Sequence, residues 1–237
     1  MKRPQALPTI ISLLAFVFLM SLGNWQMDRL EWKNSLMSRV DARLQSPSIP
    51  IPPAQTWGEL SEIDYDYRRV HLQGRFDHSQ ELYWYAGAFQ GRTGVQVITP
   101  FSLEGGDIIL VNRGFVPDEL REPSQRSVGQ VNGMVTVTGV MRWPSLRSRF
   151  DAEDVLSQRL WFVKDLTSMA DFLAIKSAPF FVELDTASSV SGGPIGGQTR
   201  VSFSNRHLEY ALTWYGLGVT LVIIFILWQI LPSRRKR

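Results

Sequence analysis

The chain has 237 residues, with 25 Lys and Arg against 22 Asp and Glu, and no cysteine. That length allows one sizeable domain plus anchoring segments. Without cysteine, disulfides, thiolate metal sites, covalent c-type haem attachment and a cysteine nucleophile are excluded.

Taken from the start, residues 7–27 read as a first transmembrane helix. Pro4 to Met27 carries no charge and is mostly aliphatic and aromatic. About 20 such residues span a bilayer core, and only a helix satisfies its own backbone there. Ser21-Leu22-Gly23-Asn24-Trp25-Gln26 offers no small-x-small cleavage site, so an uncleaved anchor is expected rather than a signal peptide. Leu30, Leu36, Met37, Val40 and Leu44 then recur at helical spacing among charges, predicting an amphipathic arm over residues 28–45. Pro47, Pro50, Pro52 and Pro53 end it.

Residues 54–200 read as a mainly β domain. Val-, Ile-, Thr-, Tyr- and Phe-rich runs predict strands at Arg68–Arg75, Glu81–Tyr85, Gly94–Leu103, Ile108–Val116, Val135–Arg142, Leu160–Val163 and Phe180–Leu184. Glu104-Gly105-Gly106-Asp107 predicts a hairpin turn. Thr167–Ile175 predicts a short helix capped by Thr167 or Ser168. Residues 188–199, with Gly192-Gly193-Pro194 and Gly196-Gly197, read as a flexible loop and lack the Lys-Ser/Thr ending of a phosphate loop. Residues 208–231 are the second apolar span. The fold class is therefore an α+β membrane protein: two transmembrane helices flanking an antiparallel barrel or sandwich with a few helices.

Lys2 and Arg3 precede the first span, and Arg234, Arg235, Lys236 and Arg237 follow the second. Basic flanks stay inside, so both termini are expected in the cytoplasm and the domain on the outer, periplasmic face of a bacterial inner membrane. The remaining 19 basic residues meet all 22 acidic ones in the middle, leaving it at net −3. The basic balance thus reports topology and not nucleic-acid binding.

His71 and His78 lack metal-ligand company and read as surface or packing residues, and the acid pair Asp64 and Asp66 reads as solvated loop. His207 stands at the outer end of the second span. On a helix, His207, Tyr210, Ala211, Trp214 and Gly218 share one face. Ala211 and Gly218 would leave room for a flat ligand, Trp214 would wall it, and Arg206 could meet an anionic group. An interfacial belt of His, Tyr and Trp is the other reading. No Gly-x-Ser-x-Gly elbow and no carboxylate pair beside His207 point to an enzyme.

Five motifs, in order, carry a resemblance. They are Gly23-Asn24-Trp25-Gln26 with Arg29 and Lys33; Tyr67-Arg68-Arg69-Val70 with Gly74 and Phe76; Arg92-Thr93-Gly94 leading to Pro100; Val111-Asn112-Arg113-Gly114-Phe115-Val116-Pro117; and Asn205, His207, Tyr210, Thr213, Trp214 and Tyr215. Together they resemble the surfeit-locus (Shy) family of cytochrome c oxidase assembly factors over the whole chain. Phe115 stands where that family usually has Trp, an aromatic exchange that removes an indole N–H. The resemblance implies a non-enzymatic factor that helps haem a reach the catalytic subunit of a haem-copper oxidase, alongside other assembly factors in the lipid bilayer. It implies His207 as ligand of the haem iron. Arg206 for a propionate, and Trp25 or Trp214 as wall, complete the expected cofactor site. The alternative is a membrane-anchored scaffold that stabilises an oxidase intermediate without binding haem. Arg113 either contacts the oxidase or bonds strand ends inside the domain; Gly114 beside it favours the second.

Overall fold

The computed structural model describes residues 6–199 and 205–230. The basic tails, Lys2 with Arg3 and Arg234 to Arg237, lie outside the described residues, as does Leu231 at the expected end of the second span. The chain divides into two compact units, residues 41–201 and residues 1–40 together with 202–237.

In the second of these, helix α1 (Ala6–Gln45) runs without a break, so the expected anchor and arm are one element. Its partner within the unit is the last helix (His207–Ile230), called α4 because two short helices intervene. Both are long and apolar enough to cross a membrane. Leu7, Ile11, Leu14 and Phe18 on α1, and Leu212, Val219, Ile223 and Ile230 on α4, are more than half exposed. Such side chains suit a hydrocarbon solvent. The two helices run antiparallel, as the Gln26–His207, Asn24–Tyr215 and Asn34–Asn205 contacts require. They meet through small residues. A side chain at Gly23 would collide with the Tyr215 ring, and one at Gly218 with Met20. Lipid tails are as apolar as Leu, so close backbone approach at small residues supplies packing that the hydrophobic effect cannot.

The other unit holds the strands β1 (Ile49–Pro50), β2 (Arg69–Phe76), β3 (Leu82–Phe89), β4 (Arg92–Leu103), β5 (Ile108–Pro117), β6 (Val135–Arg142), β7 (Leu160–Trp161) and β8 (Ser177–Leu184). Its helices are α2 (Glu62–Tyr65) and α3 (Leu166–Phe172). β4 is long enough to take two partners on one side. Its first half pairs with β3 and its last residues, Phe101 to Leu103, pair with β2. The second pairing closes the ring β2–β6–β8–β5–β4 into a five-stranded barrel. Closure removes exposed edges. Val70, Leu72, Phe101, Ile109, Val111, Met141, Phe180 and Val182 fill the interior, and the Trp57 ring packs edge-on to Phe180. A second cluster, Leu82, Ile98, Leu110, Trp161, Met169 and Phe181, packs α3 and β7 against the outer face.

Three local expectations change. The cap of α3 is Asp165, whose carboxylate accepts from Ser168 N at 3.0 Å, not Thr167 or Ser168. Asp66 is no solvated acid: its carboxylate pairs with Arg142 at 2.6 Å and accepts from Trp143 N. Burial raises its pKa despite Arg142 beside it. Residues 188–199 are not a free linker. Ile195 bridges Phe115 of β5, Gly196 N donates to Ser189 Oγ, and Gly197 N donates to Leu184 O. The hairpin at 104–107 forms as expected, with Gly106 at φ +89°.

Candidate functional site

His207 is the first residue of α4 and is half-buried. Its Nδ1 lies 2.7 Å from Oε1 of Gln26, which is 8% exposed. Among the described residues Nε2 has no hydrogen-bond partner. Two further polar contacts lie along the same helix pair. Tyr215 donates its hydroxyl to Asn24 Oδ1 at 2.8 Å, and Asn205 donates Nδ2 to Asn34 Oδ1 at 2.9 Å. Both are uncharged pairs, and Asn24 and Asn34 are exposed.

The other expected site residues are distributed unevenly. Ala211 and Gly218 do share the His207 face and are buried, Gly218 against Met20 and Phe16 of α1. At Gly218 the room its small size creates is taken by the neighbouring helix. Trp214 is half-buried. Trp25 is 51% exposed, because it sits one residue, or about 100° of helix, from buried Gln26. Arg206 is exposed and bonds Glu209 one turn on at 3.2 Å. An exposed pair of this kind is weakly held and free to re-form around another anion. Gln26 was present in the first sequence motif, yet nothing in a linear motif separates the residue turned inward from its neighbour turned out.

In the barrel unit, a separate polar cluster escaped sequence reasoning. Glu81, 2% exposed, is clamped by Arg113 at 3.0 Å and by Arg126, with His78 Nδ1 at 3.4 Å and Gln130 Nε2 at 3.3 Å. Burial alone would push the Glu81 carboxyl up. Hydrogen bonds from His78 and Arg126 and the charges of Arg126 and Arg113 outweigh it, holding the pKa at about 2. Burial also draws the Arg113 guanidinium down to about 10. Arg113 donates further to Gly129 O and lies over the Phe76 ring. It therefore bonds elements within the domain. His78, with Nε2 at 2.9 Å from Val131 O, and His71, with Nδ1 at 3.2 Å from Ser48 Oγ, are packing residues. Asn112 explains the neighbouring glycine. Its Oδ1 accepts from Gly114 N at 3.0 Å where the β4–β5 register shifts, and Gly114 adopts φ +112° against Ile195 O.

A cavity of about 330 Å³ lies on the outer side of the same sheet, lined by Trp84, Gln96, Phe115, Trp143, Lys164 and Glu183 among others. Lys164 pairs with Glu183 and lies over the Trp84 ring, 4.0 Å from its centroid. Burial would raise the Glu183 pKa, but Lys164 and the Thr199 hydroxyl hold it below the usual value. Phe115 is 3% exposed and packs on Phe89.

A closed barrel flanked in sequence by two membrane-length apolar helices, the second opening on an imidazole paired with an amide, defines the class: a barrel domain with helical membrane anchors. A profile of the SURF1 family matches residues 13–219. Surfeit locus protein 1 of Xenopus tropicalis is 40% identical over 213 residues, covering 83% of this chain and 67% of that protein. The human Surfeit locus protein 1 is 37% identical over 224 residues, covering 88% and 73%. A SURF1-like protein of Caenorhabditis elegans is 30% identical over 236 residues, covering 92% and 72%. The chain belongs to the SURF1 family.

Proposed function

We propose that this protein assists assembly of a haem-copper cytochrome c oxidase by holding haem a transiently, through His207, on its way to the catalytic subunit. Membership of the SURF1 family and the five motifs that resemble surfeit-locus assembly factors support the oxidase as client. The observation that carries the haem part is the state of His207: Nδ1 is engaged by Gln26, while Nε2 has no hydrogen-bond partner among the described residues. A porphyrin brings four equatorial nitrogens of its own, so one neutral imidazole suffices as axial ligand. A carrier must also release its cargo, which a single ligand at a helix end permits. Arg206, exposed and only loosely paired with Glu209, is the nearest cation in sequence for a propionate. Trp25 and Trp214 are the aromatic walls of this reading. With the basic tails inside, α1 and α4 span the inner membrane and the barrel stands in the periplasm.

The test compares purified full-length protein from cells making haem a with the His207→Ala variant. Co-purified haem with an axial-imidazole spectrum, lost or shifted in the variant, is expected. An identical spectrum in both would remove His207 as ligand. The scaffold reading has one observation in its favour: Gly218, on the His207 face, packs on Met20 and Phe16 of α1 and not on open space. Wild-type protein that supports oxidase assembly without ever carrying haem would establish that alternative.

A further inference from the structure

We infer that Gln26 is a positioning residue for His207: its amide oxygen holds the imidazole as the Nδ1–H tautomer, so that Nε2 alone offers a lone pair to a metal. The part of this inference that concerns metal rests on the haem reading above; the tautomer itself does not.

The geometry is specific. Nδ1 and Oε1 are 2.7 Å apart, a short hydrogen bond with an oxygen that can only accept. The proton must therefore sit on Nδ1, and a neutral ring then carries its lone pair on Nε2. Left to itself in water, a histidine ring favours the opposite tautomer, with the proton on Nε2. The amide thus has to hold the less favoured form, and its burial keeps water from competing for the same proton. Elsewhere, ligating histidines donate the second ring N–H to a fixed acceptor, which sets ring orientation and raises ligand basicity.

The placement of Gln26 does not depend on this bond alone. Gly23, one turn earlier, lies flat against the Tyr215 ring, whose hydroxyl bonds Asn24. Asn34 bonds Asn205 at the other end of the contact. The register between α1 and α4 is therefore held on both sides of the Gln26–His207 pair. Substituting Gln26 should leave the helices in place and change the ring.

The experiment uses the full chain in detergent micelles at pH 8, with ¹⁵N-labelled histidine and long-range ¹H–¹⁵N correlation of the imidazole rings. His207→Ala identifies the His207 signals. The expected wild-type pattern is protonated Nδ1 and bare Nε2. Gln26→Leu should shift the ring toward the Nε2–H form, and Gln26→Glu, which keeps an acceptor oxygen, should keep the proton on Nδ1. A wild-type ring protonated on Nε2, or a Gln26→Leu ring unchanged from wild type, overturns the inference. Titration with haem a then reads the metal half: Gln26→Leu should bind roughly 10- to 100-fold more weakly, with Gln26→Glu close to wild type. Equal affinity and an equal iron–imidazole stretching frequency in wild type and Gln26→Leu would overturn that half. Should wild-type protein bind no haem, the proposed function fails, and the ring spectra still decide the role of Gln26.

Discussion

The barrel buries charged groups, and the helix pair joins its two members through neutral ones. Inside the barrel unit the buried charged groups are gathered into closed sets, Glu81 with Arg113 and Arg126 and Glu183 with Lys164, beside the neutral pair Asn112 and Gln96. Between the helices the polar contacts are neutral: half-buried His207 on buried Gln26, and the more exposed pairs Asn24 with Tyr215 and Asn34 with Asn205. A water-surrounded domain tolerates a buried charge if every partner is present, and then loses much when one partner goes. Helices facing hydrocarbon cannot carry charge at that cost, so they use amides and hydroxyls, and draw their cohesion from small residues. One unit is therefore held by strong, mutually dependent contacts and the other by many weak ones.

The sharpest way to break this contrast is Glu81→Leu. It leaves two buried guanidinium groups unpaired, and a loss of roughly 3–5 kcal/mol is expected from denaturant unfolding followed by near-ultraviolet circular dichroism. A change below about 1 kcal/mol would mean that water already compensates the arginines.

Acid should act on the same cluster. The folded-state pKa of Glu81 is depressed to about 2 from the usual 4.5. Its contribution is thus fully present above about 4.5 and is lost as the pH falls through 2. It amounts to about 3 kcal/mol at neutral pH. Barrel stability measured from pH 6 to pH 2 should fall across that window, and Glu81→Gln should flatten the fall.

Gly114→Ala should cost about 1–3 kcal/mol, read as a lower midpoint of unfolding, because φ +112° and the approach of Ile195 O admit no side chain.

In the helix pair, Tyr215→Phe removes one neutral hydrogen bond and should cost only about 0.6 kcal/mol, measured as helix-pair stability in micelles. A loss of several kcal/mol there would erase the distinction between the two units.

The chain's own order of residues determined a good deal. The two apolar spans are legible because lipid demands some 20 uncharged residues. β6 runs over Val135–Arg142 as its β-branched pattern predicts, and the hairpin at 104–107 follows from its glycines. His207 was legible as a lone imidazole at the mouth of an apolar helix. What the tertiary structure decided is who sits opposite. Barrel closure needs β4 to meet both β3 and β2, a long-range choice that no local period encodes. Glu81 finds its arginines 32 and 45 residues away. Gly218 announces a gap in either case, and only the fold shows it filled by Met20 and Phe16 of the other helix. Local spacing tells which face of an element is covered; the identity of the cover comes from distant parts of the chain, because packing and hydrogen bonding act through space.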